Sequence, residues 1–153
     1  MKINTQKITD EKENHYENYE IITDLGFIAV LSPVGASIQK IAVRTEGEGE
    51  CLLALSPADM SDGLPGAGYA GATLGPNAGR IRGSHLPVGE RAVCLTPNEN
   101  AHQLHGGPHN LSTVRWTTDS VECARDFVRI RFCAFQPDGL DGFPGNRTYQ
   151  AVY

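Results

Sequence analysis

The octapeptide from His102 to His109, HQLHGGPH, carries three of the chain's five histidines. Imidazole is the side chain that changes charge near neutrality without help from its surroundings, so this loop is the first place to look for proton transfer. Three chemistries compete for it. Metal binding would use the spacing of His102, His105 and His109, which would put neighbouring pairs on one face of a helix. Gly106, Gly107 and Pro108 forbid that helix, and no carboxylate or cysteine is read close by as a third ligand, so no metal is expected. Acid–base catalysis is the second chemistry. A histidine just before Gly-Gly sits where the backbone can bend sharply, and small neighbours leave room for a ligand against the ring. The third reading is structural, a loop imidazole bonded to a nearby carbonyl, and these eight residues alone favour it.

Two further stretches bear on the choice. GATLGPNAGRIRG, Gly71 to Gly83, lacks the G-x-x-x-x-G-K-[ST] and G-x-G-x-x-G patterns of phosphate cradles. It does place Arg80 among small residues. A guanidinium is a rigid, permanently charged fork of donors that can hold a pair of ligand oxygens such as vicinal hydroxyls; the plain alternative is a salt bridge that fixes the loop. DGLDGFPGN, Asp138 to Asn146, is built of turn formers. Phe143 and Trp116 could stack on a sugar ring, but a structured turn and a core tryptophan are the expected roles. Asp138 and Asp141 could form a carboxylate pair, but they are expected to be solvated turn residues.

The elements that must carry these loops are strands. YEIIT, FIAVLS and ASIQKIAVRT are β-rich runs broken by DLG and PVG. CLLAL suits a buried strand or a helical turn. RIRGSHLPV and ERAVCLT read as a hairpin. Val128, Ile130 and Phe132 alternate with Arg129 and Arg131 at the period of a half-exposed strand, and RTYQAVY reads as a last strand. Residues 1–18 are a polar lead-in, either mobile or one short strand, and residues 56–79 are loop, dense in small residues and turn formers. No amphipathic helix stands out. The class is all-β, with antiparallel strands joined by turns, in a domain spanning residues 19–153.

Composition sets limits. The 153 residues hold 13 basic and 18 acidic side chains, a net charge of −5, which argues against a nucleic-acid partner. No apolar run is long enough for a membrane span, and the N-terminus lacks the apolar stretch of a secretory signal. Cys51, Cys94, Cys123 and Cys133 form no C-x-x-C pair and read as reduced, half-buried thiols. A cytoplasmic location is expected.

In order and spacing, GATLGPNAGRI, LHGG with His105 placed 25 residues after Arg80, VRWT and DGFPGN resemble the aldose 1-epimerase (galactose mutarotase) family. The resemblance runs from Gly71 to the end. It implies an antiparallel β-sandwich of the β-supersandwich type and a hexose in ring form as substrate. It also implies an isomerase that interconverts α and β anomers by acid–base ring opening, with no metal or organic cofactor. By position, Arg80 matches the family's substrate-binding arginine, and His105 its first active-site histidine, both catalytic and substrate-binding. His102 stands where many members have asparagine, and Pro76 and Gly79 replace an arginine and an asparagine.

Members of that family are roughly twice as long. Their second half normally supplies another histidine, a sugar-binding aspartate and a glutamate base, and no positions here match these. The chain is therefore expected to be the N-terminal part of such a domain, apparently truncated. Mutarotase activity should be weak or absent, and its exposed strand edges should self-associate or pair with a missing C-terminal half. The alternative is a non-catalytic carbohydrate-binding β-module using the same groove.

Overall fold

The computed structural model describes residues 1–9, 13, 15–45, 47, 49–54 and 69–153. Five strands form one antiparallel meander: β1 (Lys2–Thr9), β2 (His15–Ile22), β3 (Phe27–Ser32), β4 (Ser37–Thr45) and β5 (Gly49–Ala54), adjacent in chain order. The short turn between β2 and β3 is closed by Gly26 N–H on Thr23 O and by Phe27 N–H on the Thr23 hydroxyl. Residues Lys2–Thr9 of the polar lead-in are thus a strand, paired along their whole length with His15–Ile22.

A second antiparallel sheet holds β10 (Thr117–Cys123), β11 (Val128–Gln136) and β12 (Arg147–Val152), with β11 in the middle. Its alternation follows the sequence: Ile130, Phe132 and Ala134 point inward while Arg129 and Arg131 pair with Glu122 and Asp119 on the outer face. Two small ladders complete the fold. β7 (His85–Val88) pairs with β8 (Arg91–Cys94), the hairpin expected from RIRGSHLPV and ERAVCLT, and β6 (Arg80–Ile81) pairs with β9 (Gln103–Leu104).

The two larger sheets share one core. Tyr19 and Leu31 from the meander meet Ile130, Phe132 and Ala134 of β11, and Ala36, Leu111 and Trp116 fill between them. Tyr153 packs edge-on to Phe132 and donates its hydroxyl hydrogen to Ala36 O, so the end of the second sheet is tied to the corner after β3. The fold is an all-β antiparallel sandwich. Trp116 is a core residue, its indole N–H spent on Leu111 O at 2.9 Å.

Two expectations need correction. By sequence alone CLLAL suits a buried strand or a helical turn. Its described part, Cys51–Ala54, belongs to edge strand β5, where Leu52 and Leu53 are exposed. A short apolar run does not say whether another layer lies over it. Cys51, Cys94 and Cys123 are exposed free thiols rather than half-buried ones. The loop read over residues 56–79 falls partly outside the described residues, which resume at Tyr69. Among the described residues no helix is long and apolar enough to cross a membrane.

Phe132 is fully buried at the centre of the sandwich. Phe132→Ala should cost about 3–5 kcal/mol of unfolding free energy, the range for large aromatic deletions in a packed core. Urea or guanidinium titration followed by near-UV circular dichroism measures it.

Candidate functional site

The histidine loop and the glycine-rich stretch are laid side by side by backbone contacts. Ile38 N–H bonds Gly71 O, and Thr73 N–H bonds Gly35 O, which fixes the start of the glycine-rich stretch on the corner between β3 and β4. Leu111 N–H then bonds Gly75 O. The approach there is so close that a Cβ on Gly106 would lie 2.1 Å from Gly75 O, and Gly106 itself has φ +96°. Only glycine meets both conditions. The two segments next join as the β6–β9 ladder, with Arg80 opposite Leu104 and Ile81 opposite Gln103.

His105 sits one residue past that ladder. Its backbone N–H bonds Gly79 O at 3.0 Å, and its Nδ1 accepts the Gly79 N–H at 3.1 Å. A neutral ring that accepts at Nδ1 carries its proton on Nε2 and presents it as a donor. The aromatic ring of Tyr69 packs on the imidazole with centroids 4.6 Å apart. His105 has φ +53°, a left-handed conformation that costs a non-glycine residue about 1–3 kcal/mol and persists where the surroundings over-determine it.

Arg80, opposite Leu104, therefore lies one backbone pair from His105 although it stands 25 positions earlier in the chain. Its guanidinium is engaged by a residue that the sequence reading passed over. Glu99 takes Arg80 Nε–H on one carboxylate oxygen and Nη2–H on the other, the second at 2.8 Å. The salt bridge weighed as the plain alternative for Arg80 is thus present, and Arg80 still exposes 61 % of its side chain. Those hydrogen bonds hold the Glu99 carboxyl below the usual carboxylate range; the charge of Arg80 and smaller contributions from His102 and His105 act in the same direction, against a partial desolvation that raises it. Arg80, Glu99, His102 and His105 accordingly share one electrostatic neighbourhood. The signal for Glu99 was faint: one acidic residue three positions before His102, with a partner 19 positions away.

The other two histidines shape the loop. His102 accepts the Gly83 N–H at Nδ1 at 3.0 Å and closes a backbone turn with Glu99. His109 donates its backbone N–H and its Nδ1–H to the Asp141 carboxylate at 2.8 and 3.1 Å. Asp141 is buried, with φ +52°, which overturns its reading as a solvated turn residue: the burial follows from its role as acceptor for the end of the histidine loop. Asp138, in contrast, is a turn residue, bonding Gly145 N–H through its side chain while its own N–H bonds Asn146. Phe143 is buried under Arg147, whose Nη1 donates to the carbonyls of Phe143, Pro144 and Gly145. Burial removes Phe143 and Trp116 from the surfaces on which a sugar could stack. Among the described residues no group of three or more His, Cys, Asp or Glu gathers that could hold a metal ion.

The sequence model of the aldose 1-epimerase family matches residues 17–153. The chain belongs to that family. Aldose 1-epimerase of Escherichia coli strain K12 is 30% identical over 134 residues, which are 84% of this chain and 37% of that protein. Galactose mutarotase of Pongo abelii is 27% identical over 137 residues, 90% of this chain and 38% of that protein. Among solved structures, galactose 1-epimerase from Lactobacillus acidophilus NCFM matches with a TM-score of 0.78 at 26% identity, over 99% of this chain and 44% of that one. This aldose 1-epimerase family chain therefore spans 37–44% of the length of these relatives.

Two outcomes follow from this geometry. Gly106→Ala should separate the histidine loop from the glycine-rich stretch, lowering thermal stability by several degrees, since about 1 kcal/mol moves Tm by roughly 2–4 °C or more at this size. In 1H–15N NMR the resonances of Gly75, Gly79 and His105 should shift together. The second outcome concerns acid. Because the folded Glu99 pKa is depressed, its contribution to stability is present above the ordinary carboxylate pKa and is lost as pH falls through the lower folded value. The Tm gap between wild type and Glu99→Gln should therefore narrow as pH is lowered through that window, and differential scanning calorimetry across the acid range measures it.

Proposed function

We propose that the Arg80–His105 neighbourhood binds a hexose in its ring form and contributes to the interconversion of α and β anomers. The observation that supports this reading most is the backbone juxtaposition of the two residues at the end of the β6–β9 ladder, within a chain of the aldose 1-epimerase family. Arg80 would hold adjacent sugar hydroxyls through the N–H groups that Glu99 leaves uncommitted. His105 would offer its Nε2–H to the ring oxygen or to a hydroxyl beside the anomeric carbon.

Anomer exchange needs a proton removed from the anomeric hydroxyl and one delivered to the ring oxygen. The C1–O5 bond breaks, C1 becomes a carbonyl, the carbonyl end rotates, and the ring recloses with the protons returned. His105 is suited to the delivery step, since its Nδ1 is committed to Gly79 and its proton sits on Nε2. No residue here is assigned to removal of the anomeric proton. We therefore place binding ahead of turnover: Arg80 and His105 are assigned to holding the hexose, and the mutarotase activity of these residues by themselves is expected to be weak or absent. A carbohydrate-binding role without catalysis is the second reading, favoured by the exposed Arg80 fork, which suits hydroxyl binding and transfers no proton.

Titration with galactose and with glucose, followed by 1H–15N NMR, tests the reading. Shifts should concentrate on residues 79–83 and 98–107. Arg80→Ala should weaken binding about tenfold or more, on the scale of 1.5–3 kcal/mol for hydrogen bonds to a charged group. His105→Ala should weaken it as well, and should abolish any acceleration of anomer exchange seen by polarimetry. Absence of shifts at saturating sugar, or shifts confined to another face, refutes the proposal.

A further inference from the structure

We propose that Glu99 is a positioning and specificity-determining residue: by clamping Arg80 through two parallel hydrogen bonds it orients the guanidinium and cancels its charge, so that the site takes an uncharged hexose and disfavours a phosphorylated or carboxylated one. This rests on the hexose-binding reading of Arg80 and His105.

A guanidinium has five N–H donors in one plane. Glu99 takes two of them, Nε–H and one hydrogen of Nη2. The other three point away from the carboxylate, and among the described residues they make no hydrogen bond. The bidentate clamp removes the rotational freedom that a long arginine side chain otherwise keeps, and it aims the open edge in one direction. Two hydroxyl oxygens on adjacent ring carbons can accept from that edge without bringing any charge.

Glu99 is not needed to build the turn on which it stands. That turn is closed by the backbone, with Asn98 N–H and Glu99 N–H on His102 O and His102 N–H on Glu99 O. The Asn98 side chain then brackets Leu104, accepting its N–H at 2.7 Å and donating to its carbonyl at 3.0 Å. The Glu99 carboxylate is free of structural duty in the turn and is spent on Arg80.

The charge balance follows. Arg80 and Glu99 sum to zero, and the rings of His102 and His105 each accept a backbone N–H at Nδ1, the arrangement of a neutral imidazole. A phosphate brought to the open edge of Arg80 would lie within a few ångströms of the Glu99 carboxylate, and like charges at that distance repel. Neutral hydroxyls meet no such opposition, and Glu99 retains lone pairs that can accept from one of them.

The test compares wild type, Glu99→Gln, Glu99→Ala and Glu99→Asp, each titrated with galactose and with glucose 6-phosphate at low and at moderate salt. Binding is read by 1H–15N NMR, including the Arg80 Nε–H resonance. In wild type, galactose should bind and glucose 6-phosphate should bind at least tenfold more weakly. Glu99→Gln and Glu99→Ala should weaken galactose several-fold and strengthen glucose 6-phosphate about tenfold, with the gain erased by salt. Glu99→Asp should restore the wild-type preference. A sugar-to-phosphate preference unchanged in Glu99→Gln and Glu99→Ala, in proteins that still bind galactose, overturns the role of Glu99 and leaves the hexose reading standing. Failure of wild type to bind galactose at all overturns the hexose reading and the sugar preference with it.

Discussion

The site depends on one steric fact: Gly106 lies against Gly75 with no room for a side chain between them. That contact lets the histidine loop run flush along the glycine-rich stretch, so that Leu111 N–H reaches Gly75 O and His105 N–H reaches Gly79 O. With any larger residue the two backbones would separate, and Arg80 and His105 would be two groups on different loops. The register then does the rest. Once Gly79 meets His105, Arg80 must meet Leu104, and the turn before β9 brings Glu99 back to the guanidinium.

This placement is rigid because it is anchored at both ends. Gly71 and Thr73 are bonded to the β3–β4 corner, which also receives Val114 and Trp116 backbone bonds and the Tyr153 hydroxyl. The far end of the histidine loop is held by Asp141, whose buried carboxylate accepts two N–H groups of His109, and by the Gln136 amide on His109 O. His105 and Asp141 both adopt left-handed backbone conformations, at φ +53° and +52°. Unfavourable conformations at two points of one loop system persist only if the hydrogen bonds and packing around them outweigh the cost, and such residues concentrate at functional sites.

Much of this was legible in the chain. β2, β3, β4, β11 and β12 follow from β-rich runs, alternation and Gly and Pro punctuation, and the motif order singles out Arg80 and His105, whose backbones lie side by side at the β6–β9 ladder. What could not be read were facts that arise only on folding. Periodicity does not show that Cys51–Ala54 stands at an edge, because edge and centre differ in what lies beside the strand. Asp141 sits in a run of turn formers, and its burial depends on a histidine 32 positions away. Glu99 is one of many acidic residues in a chain of net charge −5, and nothing local marks it as the partner of Arg80. The core role expected of Trp116 and the turn role expected of Phe143 are what the structure shows, although aromatic rings serve cores and ligands alike and only the layers around them distinguish the two.

The geometry also separates two parts of the anomerase problem. Groups that hold hydroxyls bind the ring in the ground state and in the transition state alike, and such uniform binding does not speed the chemical step. Acceleration requires a group whose interaction strengthens as the C1–O5 bond breaks. Under the proposed reading His105 would supply half of that, a proton on Nε2 for the oxygen that becomes negative. The other half, a base for the anomeric proton, is unassigned here; a weakly acidic hydroxyl surrenders its proton slowly to water alone. Glu99 does not fill the role, because Arg80 hydrogen bonds hold its carboxyl below the usual range and so make it a poorer base than an ordinary carboxylate. Under the proposed reading the cluster holds the ring and protonates it, and binding rather than turnover is the property that reading assigns to it.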